Sequence, residues 1–216
     1  MSTDTARQPS AWPIERFGPA LAGQLWHRVP CALACAVRRA RDAHEASQMT
    51  TNHAFGSARW PIQYEELVNH LIDLDGAATI RLPHTFYQLV VLDGHVILPW
   101  CYARTPDVRM RDARLGQSFG LLAREIVARF GPPPHWTQLS LLGADEEEER
   151  QVHEARSLLD KLDPPPKVLI VGYACNARLG LLGVSWGEAA LGDDGEMHWY
   201  HDEPLPIPAH TAAEEG

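Results

Sequence analysis

The sequence predicts an α+β fold in which helices pack on an antiparallel sheet, and two Asp-Gly turns are the main reason. The first turn, Asp93-Gly94, lies between the apolar runs at residues 86–92 and 95–100. The second turn, Asp194-Gly195, follows the apolar run at residues 184–191. Asp and Gly tolerate the positive φ that tight turns require, so each turn is predicted to close a β-hairpin. Helical patterns separate the two hairpins, and strands grouped in this way favour α+β over a parallel α/β fold.

In the first half of the chain, the pattern predicts one helix followed by three strands. Pro61 suits a first helical position, and apolar residues then recur at helical spacing, which predicts a helix over residues 61–74. Gly76 is expected to end that helix. A strand over residues 78–82 then precedes the first hairpin.

The second half is predicted to contain two helices and three more strands. An apolar stripe indicates a helix over residues 114–130, which a triproline ends. The next helix begins near Asp145, which fits an N-cap. The apolar run at residues 167–173 is interpreted as a buried strand, and the second hairpin ends with residues 196–201. The predicted order is therefore α-β-β-β-α-α-β-β-β, with about three packed helices.

The chain is predicted to divide into three segments: an extension at residues 1–48, a single α+β domain at residues 49–205, and a loose tail at residues 206–216. The first segment has no strand pattern and only a short helical candidate at about residues 30–46. Met49 is a second candidate start, so residues 1–48 are either translated upstream sequence or a flexible extension. Either interpretation predicts that this segment is poorly ordered.

Composition excludes several classes of protein. The 216 residues are 45% apolar, which is enough for a sizeable core. The net charge of −9 makes nucleic acid an unexpected partner. The apolar run at residues 31–37 is too short to cross a bilayer and lacks the flanks of a secretory signal. We therefore expect a cytoplasmic protein without a membrane segment, and the preference for Arg over Lys suggests a high-GC bacterial source.

The four cysteines are expected to be reduced thiols, because the chain is large and shows no secretory signal. Cys31 and Cys35 have C-x-x-x-C spacing but no second pair to complete a zinc site, so no metal site is predicted. Cys101 and Cys175 lie in or beside apolar strands, where a small buried hydrophobic residue is the default. Phosphate-binding, dinucleotide-binding and metalloprotease motifs are absent from the sequence, so no cofactor is predicted.

The strongest candidate for chemistry is a polar cluster in the second hairpin. With a three-residue loop, Ala190 lies opposite His198, and Glu188 lies opposite Tyr200. That register places four polar side chains on one face: Glu188, His198, Tyr200 and Asp202. A carboxylate beside a histidine could act as an acid–base pair or hold a metal. The alternative is a solvated hairpin face, and a register slip of one residue would break the cluster.

A second candidate is a basic connection that leads into the helix predicted at residues 114–130. It contains four arginines: Arg104, Arg109, Arg111 and Arg114. Arg side chains beside a helix N-terminus can bind an anion. Asp107 and Asp112 offset part of this charge, so a solvated loop or a protein contact is the simpler interpretation.

Polar residues also flank the first hairpin. Asp93 is most simply a turn residue, and His84 follows Pro83 at a strand break. His84, Asp93 and His95 are therefore expected to be structural or solvated.

No motif in the sequence assigns a function. We expect a non-enzymatic protein-binding or regulatory accessory module with an unknown protein partner, because exposed Trp, Tyr and Arg side chains favour interfaces. The alternative is a hydrolase that uses Glu188 and His198, with or without a metal ion. Convergence of these two side chains in a concave pocket would favour the enzyme, whereas separation on an open face would favour the binding module.

Overall fold

Four α-helices and a six-stranded sheet form the mixed α+β fold of the computed structural model, which describes residues 8–115, 120–133, 146–192 and 195–208. The α-helices are α1 (Ala11–Ser47), α2 (His53–Leu71), α3 (Leu121–Phe130) and α4 (Glu146–Leu159). The strands are β1 (Ala77–Ile80), β2 (Leu89–Leu92), β3 (His95–Ala103), β4 (Lys167–Asn176), β5 (Gly180–Leu191) and β6 (Met197–Leu205). A short 3-10 helix covers Met110–Asp112.

The strands lie side by side in the order of the chain, β1 to β6. The first three strands and the last three strands each form an antiparallel set, and β3 pairs with β4 in parallel. The prediction of a purely antiparallel sheet is therefore wrong at β3 and β4. Parallel neighbours need a long crossover, and here α3 and α4 lie in the connection that brings the chain back in the same direction.

The two turns differ in how much of them the structure describes. Leu92 lies opposite His95, and the two residues between them, Asp93 and Gly94, have φ values of 47° and 72°. Both values fall in the left-handed region that Asp and Gly tolerate. In the second turn, Asp193 and Asp194 lie outside the described residues.

Side chains alternate between the two faces of the sheet and form a separate core on each. On β3 and β4, Ile97, Leu169 and Val171 belong to a first core that α1 covers. Their neighbours, such as Leu98 and Ile170, belong to a second core with residues of α3 and α4. This alternation is the ordinary pleat of a strand that is buried on both faces.

The prediction that residues 1–48 are poorly ordered is wrong for α1, which is part of the first core. Ala22, Leu25, Val29 and Leu33 recur at helical spacing and are fully buried against the sheet. The helix bends at Gly18, where φ is 72° and ψ is 161°. Within the described residues, no helix combines the length and apolar character that a membrane span needs.

The first residues of α2 and α3 differ from the predicted ones. α2 begins at His53, so Pro61 lies inside the helix instead of at its first position. α3 begins at Leu121, after residues 116–119, which lie outside the described residues, as does Asp145. At the C-terminal end, residues 206–208 have no regular secondary structure, and the rest of the predicted tail lies outside the described residues.

The packing of α1 predicts how single substitutions in it affect stability. Leu25→Ala should lower the free energy of unfolding by about 2–5 kcal/mol, because it removes buried methyl groups and leaves a cavity. The neighbouring Gln24 is exposed, so Gln24→Ala should change the same quantity by less than about 0.5 kcal/mol. Urea unfolding monitored by circular dichroism measures both, and equal effects would contradict the burial of α1.

Candidate functional site

The best-formed concave site among the described residues is a pocket of about 230 Å³ where α2 meets the loop between β1 and β2. Residues of α3 and α4 close its other side. Its walls contain four aromatic residues: Trp60, Tyr64, Phe86 and Tyr87. Its apolar lining includes the buried residues Leu89, Leu98 and Ile126. We refer to it as the aromatic pocket.

The rings of the aromatic pocket are arranged mostly at right angles. Trp60 lies 6.4 Å from Tyr87 with an interplanar angle of 88°, and Phe86 lies 5.8 Å from Tyr87 at 90°. Tyr64 stacks on Tyr87 at 4.1 Å and 15°, which fixes the Tyr87 ring against α2. In such pairs the edge of one ring meets the face of the other, which is a favourable arrangement of aromatic side chains.

The loop that carries Phe86 and Tyr87 is held in place by its own hydrogen bonds. The Thr85 hydroxyl donates to the carbonyl oxygen of Leu82 at 2.8 Å, and the Thr85 amide donates to the same oxygen at 3.2 Å. His84 has a φ of 57°, and its Nε2 lies 3.2 Å from Glu154 Oε2 on α4. The rim of the pocket is thus formed before any ligand binds.

Burial controls the ionisation of the pocket tyrosines. Desolvation raises the pKa of Tyr64 well above its ordinary value, and it also raises the pKa of Tyr87. Both rings therefore stay neutral at physiological pH. Among the described side chains, His84 lies within 4 Å of Glu147 and Glu154, and Glu147 also pairs with Arg150.

The predicted polar cluster in the second hairpin is divided by a β-bulge. Ala190 does lie opposite His198, but the register shifts between Glu188 and Ala189, so Glu188 lies opposite His201 instead of Tyr200. Glu188 is buried, and both of its carboxylate oxygens accept hydrogen bonds from Arg16 at 2.6 Å. The structure therefore joins Glu188 to α1 instead of to the rest of the predicted cluster.

The other members of that cluster make separate contacts. Tyr200 is 55% exposed, and its hydroxyl donates to the carbonyl oxygen of Pro133 at 2.5 Å. Asp202 accepts a hydrogen bond from Arg111 Nε at 3.0 Å. His198 is exposed on the strand at the edge of the sheet. These contacts support the solvated interpretation of this hairpin.

The predicted arginine cluster is also dispersed over several acidic partners. Arg109 pairs with Asp112 at 2.6 Å, Arg114 pairs with Glu196 at 3.1 Å, and Arg111 pairs with Asp202. The backbone of Arg104 accepts a hydrogen bond from the Asn176 side chain at 2.9 Å. Exposed pairs of this kind contribute little to stability and leave the arginines without a common target.

The residues around the first hairpin are structural. His95 is buried, lies 4.8 Å from the Phe17 ring in an edge contact, and has its Nδ1 2.9 Å from the Asp93 carbonyl oxygen. Burial lowers the pKa of His95, which keeps the ring neutral. His84 belongs to the rim of the aromatic pocket, a role that the sequence did not indicate.

A pair of neighbouring thiols, one half-buried and one buried, links β3 to β4. Cys101 Sγ lies 3.7 Å from Cys175 Sγ, and both residues are free cysteines. The hydrogen bond from Cys175 lowers the pKa of Cys101 to about 7, and the positive charges of Arg59 and Arg104 act in the same direction. The same hydrogen bond raises the pKa of Cys175, so the two sulfurs share one proton over a wide pH range.

The aromatic pocket was missed because its residues come from separate parts of the sequence. Trp60 and Tyr64 are one turn apart on α2, and that spacing is equally typical of a core stripe. Phe86 and Tyr87 were assigned to a strand, although β2 begins only at Leu89. Arg16, the partner of Glu188, lies in the segment that was expected to be poorly ordered.

Comparisons with known proteins identify no relative of this chain, so its function is argued from the geometry of the site. No family model matches the chain, and no curated protein or solved structure is similar to it.

The thiol pair predicts a specific pH dependence. A ¹³C-cysteine NMR titration should show Cys101 losing its proton near pH 7, well before an ordinary thiol. Because its pKa is below the unfolded value of about 8.5, Cys101 contributes stability above that pH and loses it as the pH falls through about 7. The raised pKa of Cys175 opposes this contribution above about pH 8.5, where the unfolded thiol ionises. Arg59→Met should move the Cys101 midpoint upward. An unchanged midpoint in that variant would contradict the contribution of Arg59.

Proposed function

We propose that the protein is a non-enzymatic protein-binding module, accessory or regulatory to its partner, and that the aromatic pocket holds a cationic side chain of that partner. The single observation that carries the proposal is the arrangement of Trp60, Phe86 and Tyr87 at right angles around one opening. The faces of aromatic rings carry negative partial charge, and several such faces around one cavity attract a Lys or Arg side chain.

The size of the pocket supports a side chain as its ligand. Its volume of about 230 Å³ is below the range of about 300–1,000 Å³ that is typical of sites for drug-sized molecules. Phe86 is 71% exposed beside the opening, so a partner that inserts a side chain also finds an apolar surface around it. Aromatic anchors at the centre of a contact are the usual sites of binding energy between proteins.

Charge supports a cation over a neutral side chain. Glu154 lies at the rim, where its described partner is His84, and a cation in the pocket can take the place of that imidazole. The whole chain carries a net charge of −9, which attracts a basic partner at long range.

The hydrolase alternative has less support, because the carboxylate of Glu188, its proposed base, already accepts hydrogen bonds at both oxygens. Both oxygens of Glu188 bind Arg16, and the bulge places His201 opposite Glu188. A general base needs a free oxygen within reach of the substrate. The aromatic pocket, by contrast, is open and preformed.

Binding of short peptides tests the proposal. We expect an acetylated and amidated Gly-Lys-Gly peptide to bind the pocket more tightly than the same peptide with norleucine, which has a similar chain without the charge. The expected ratio is roughly 2-fold to 30-fold, from a cation–π contribution of about 0.5–2 kcal/mol. NMR chemical-shift changes at the Trp60 indole N–H measure both affinities.

Two variants separate the pocket from the rest of the surface. Tyr87→Ala should weaken binding of the lysine peptide, whereas Tyr200→Ala removes an exposed aromatic ring elsewhere and should leave the affinity unchanged. Equal binding of the two peptides would disprove the preference for a cation. Absence of binding by both would disprove the pocket as a side-chain site.

A further inference from the structure

A second site lies between α1 and α2, on residues that the aromatic pocket does not use. Cys35 of α1 faces Glu66 and His70, which are one turn apart on α2. The Cys35 sulfur, a Glu66 oxygen and a His70 nitrogen all lie within 4.8 Å of one another. Two ligands spaced by four residues on one helix face form a common half of a zinc site, and here the facing helix supplies a third.

We propose that Cys35, Glu66 and His70 bind a Zn²⁺ ion that joins α1 to α2. Thiolate, imidazole and carboxylate are the three side-chain groups that zinc prefers, and this mixed set suits zinc better than a hard cation such as Mg²⁺. At ordinary zinc–ligand lengths, tetrahedral ligand atoms are about 3.3–3.8 Å apart, so groups that lie within 4.8 Å of one another need to close by at most about 1.5 Å. A water molecule fills the fourth position of the proposed site.

The burial and hydrogen bonds of the Glu66 carboxylate resemble those of a carboxylate that binds a metal. Its side chain is 9% exposed, and its two oxygens have separate partners. Oε1 accepts a hydrogen bond from Arg39, whereas Oε2 lies 3.5 Å from His70 Nδ1. Arg39 therefore orients the carboxylate and leaves Oε2 on the side of His70. A charged group that orients a ligand in this way is typical of zinc sites.

His70 and Cys35 are also positioned by neighbouring groups. His70 Nδ1 donates a hydrogen bond to the Glu66 backbone oxygen at 2.9 Å, which orients the imidazole and leaves Nε2 as the nitrogen that would bind zinc. The Arg38 guanidinium donates a hydrogen bond to Cys35 Sγ at 3.6 Å, which holds the sulfur in place. Both side chains are half-buried, so an ion can enter from solvent.

Cys31 is a matched control for Cys35, because it is a second thiol one turn before Cys35 on α1. It is half-buried like Cys35, but it does not belong to the group of ligand atoms that lie within 4.8 Å of one another. The proposed site therefore requires Cys35 and not Cys31.

Cobalt substitution of the full chain, prepared without a histidine tag, tests the proposal. Titration of the metal-free protein with Co²⁺ should give one equivalent of tight binding and a thiolate-to-cobalt charge-transfer band, which Zn²⁺ then displaces. Cys35→Ser should abolish the band, and Cys31→Ser should retain it. Arg39→Met should weaken Zn²⁺ binding by about 10-fold to 100-fold, as expected for a group that orients a ligand.

The outcomes separate the site from a structural role of the same residues. His70→Gln, at a side chain that is partly exposed, should fold normally by circular dichroism and still lose tight Zn²⁺ binding. A wild-type protein without the band, a band that survives Cys35→Ser, or a band lost in Cys31→Ser would each overturn the three-residue site. Peptide binding at Trp60 is measured separately, so failure of one proposal is distinguishable from failure of the other.

Discussion

Burial of Trp186 between the sheet and α1 is the interaction on which the rest of the structure depends. This side chain is fully buried, and Trp12 and Trp26 of α1 approach it edge-on at 6.1 Å and 6.2 Å. Its indole nitrogen donates to Glu203 at 2.8 Å, so the polar edge is satisfied inside the core. An aromatic side chain of this size buries about 150–250 Å², which corresponds to roughly 4–6 kcal/mol of transfer free energy. By comparison, an exposed ion pair typically contributes about 0–1 kcal/mol.

Once α1 is fixed on the sheet, its polar residues determine the positions of groups that the sequence alone leaves uncertain. Arg16 reaches Glu188 and neutralises a buried carboxylate that would otherwise be costly to enclose. Arg39 pairs with Glu65 and Glu66 and so adds a polar contact between α1 and α2. Glu188, the strongest sequence candidate for a catalytic base, therefore forms an ion pair that links β5 to α1.

Strands and turns, which depend on neighbouring residues, could be predicted from the sequence. Contacts between residues that are far apart in the sequence could not. The apolar runs around Asp93-Gly94 are strands because alternation and turn chemistry act within a few residues. Only about residues 30–46 of α1 were predicted as a helical candidate, because Gly18, Pro19 and Pro30 interrupt its pattern and its Ala-rich stripe is buried against the sheet. The bulge beside Glu188 has no local signal, yet it decides the composition of the predicted cluster. The aromatic pocket and the proposed zinc ligands were missed for a related reason. Each site combines residues from separate segments, and each segment alone has the pattern of an ordinary core or surface element.

The two proposed sites share one structural element, and this has a thermodynamic consequence. α2 supplies Trp60 and Tyr64 to the pocket, and it supplies Glu66 and His70 to the metal site. An ion that holds α2 against α1 limits the motion of the pocket wall, so a side chain that binds there loses less freedom on ordering that wall. Linkage is reciprocal, and the side chain must then increase the affinity for the ion by the same factor. In the two proposals, α2 is therefore the element through which zinc binding and side-chain binding are coupled.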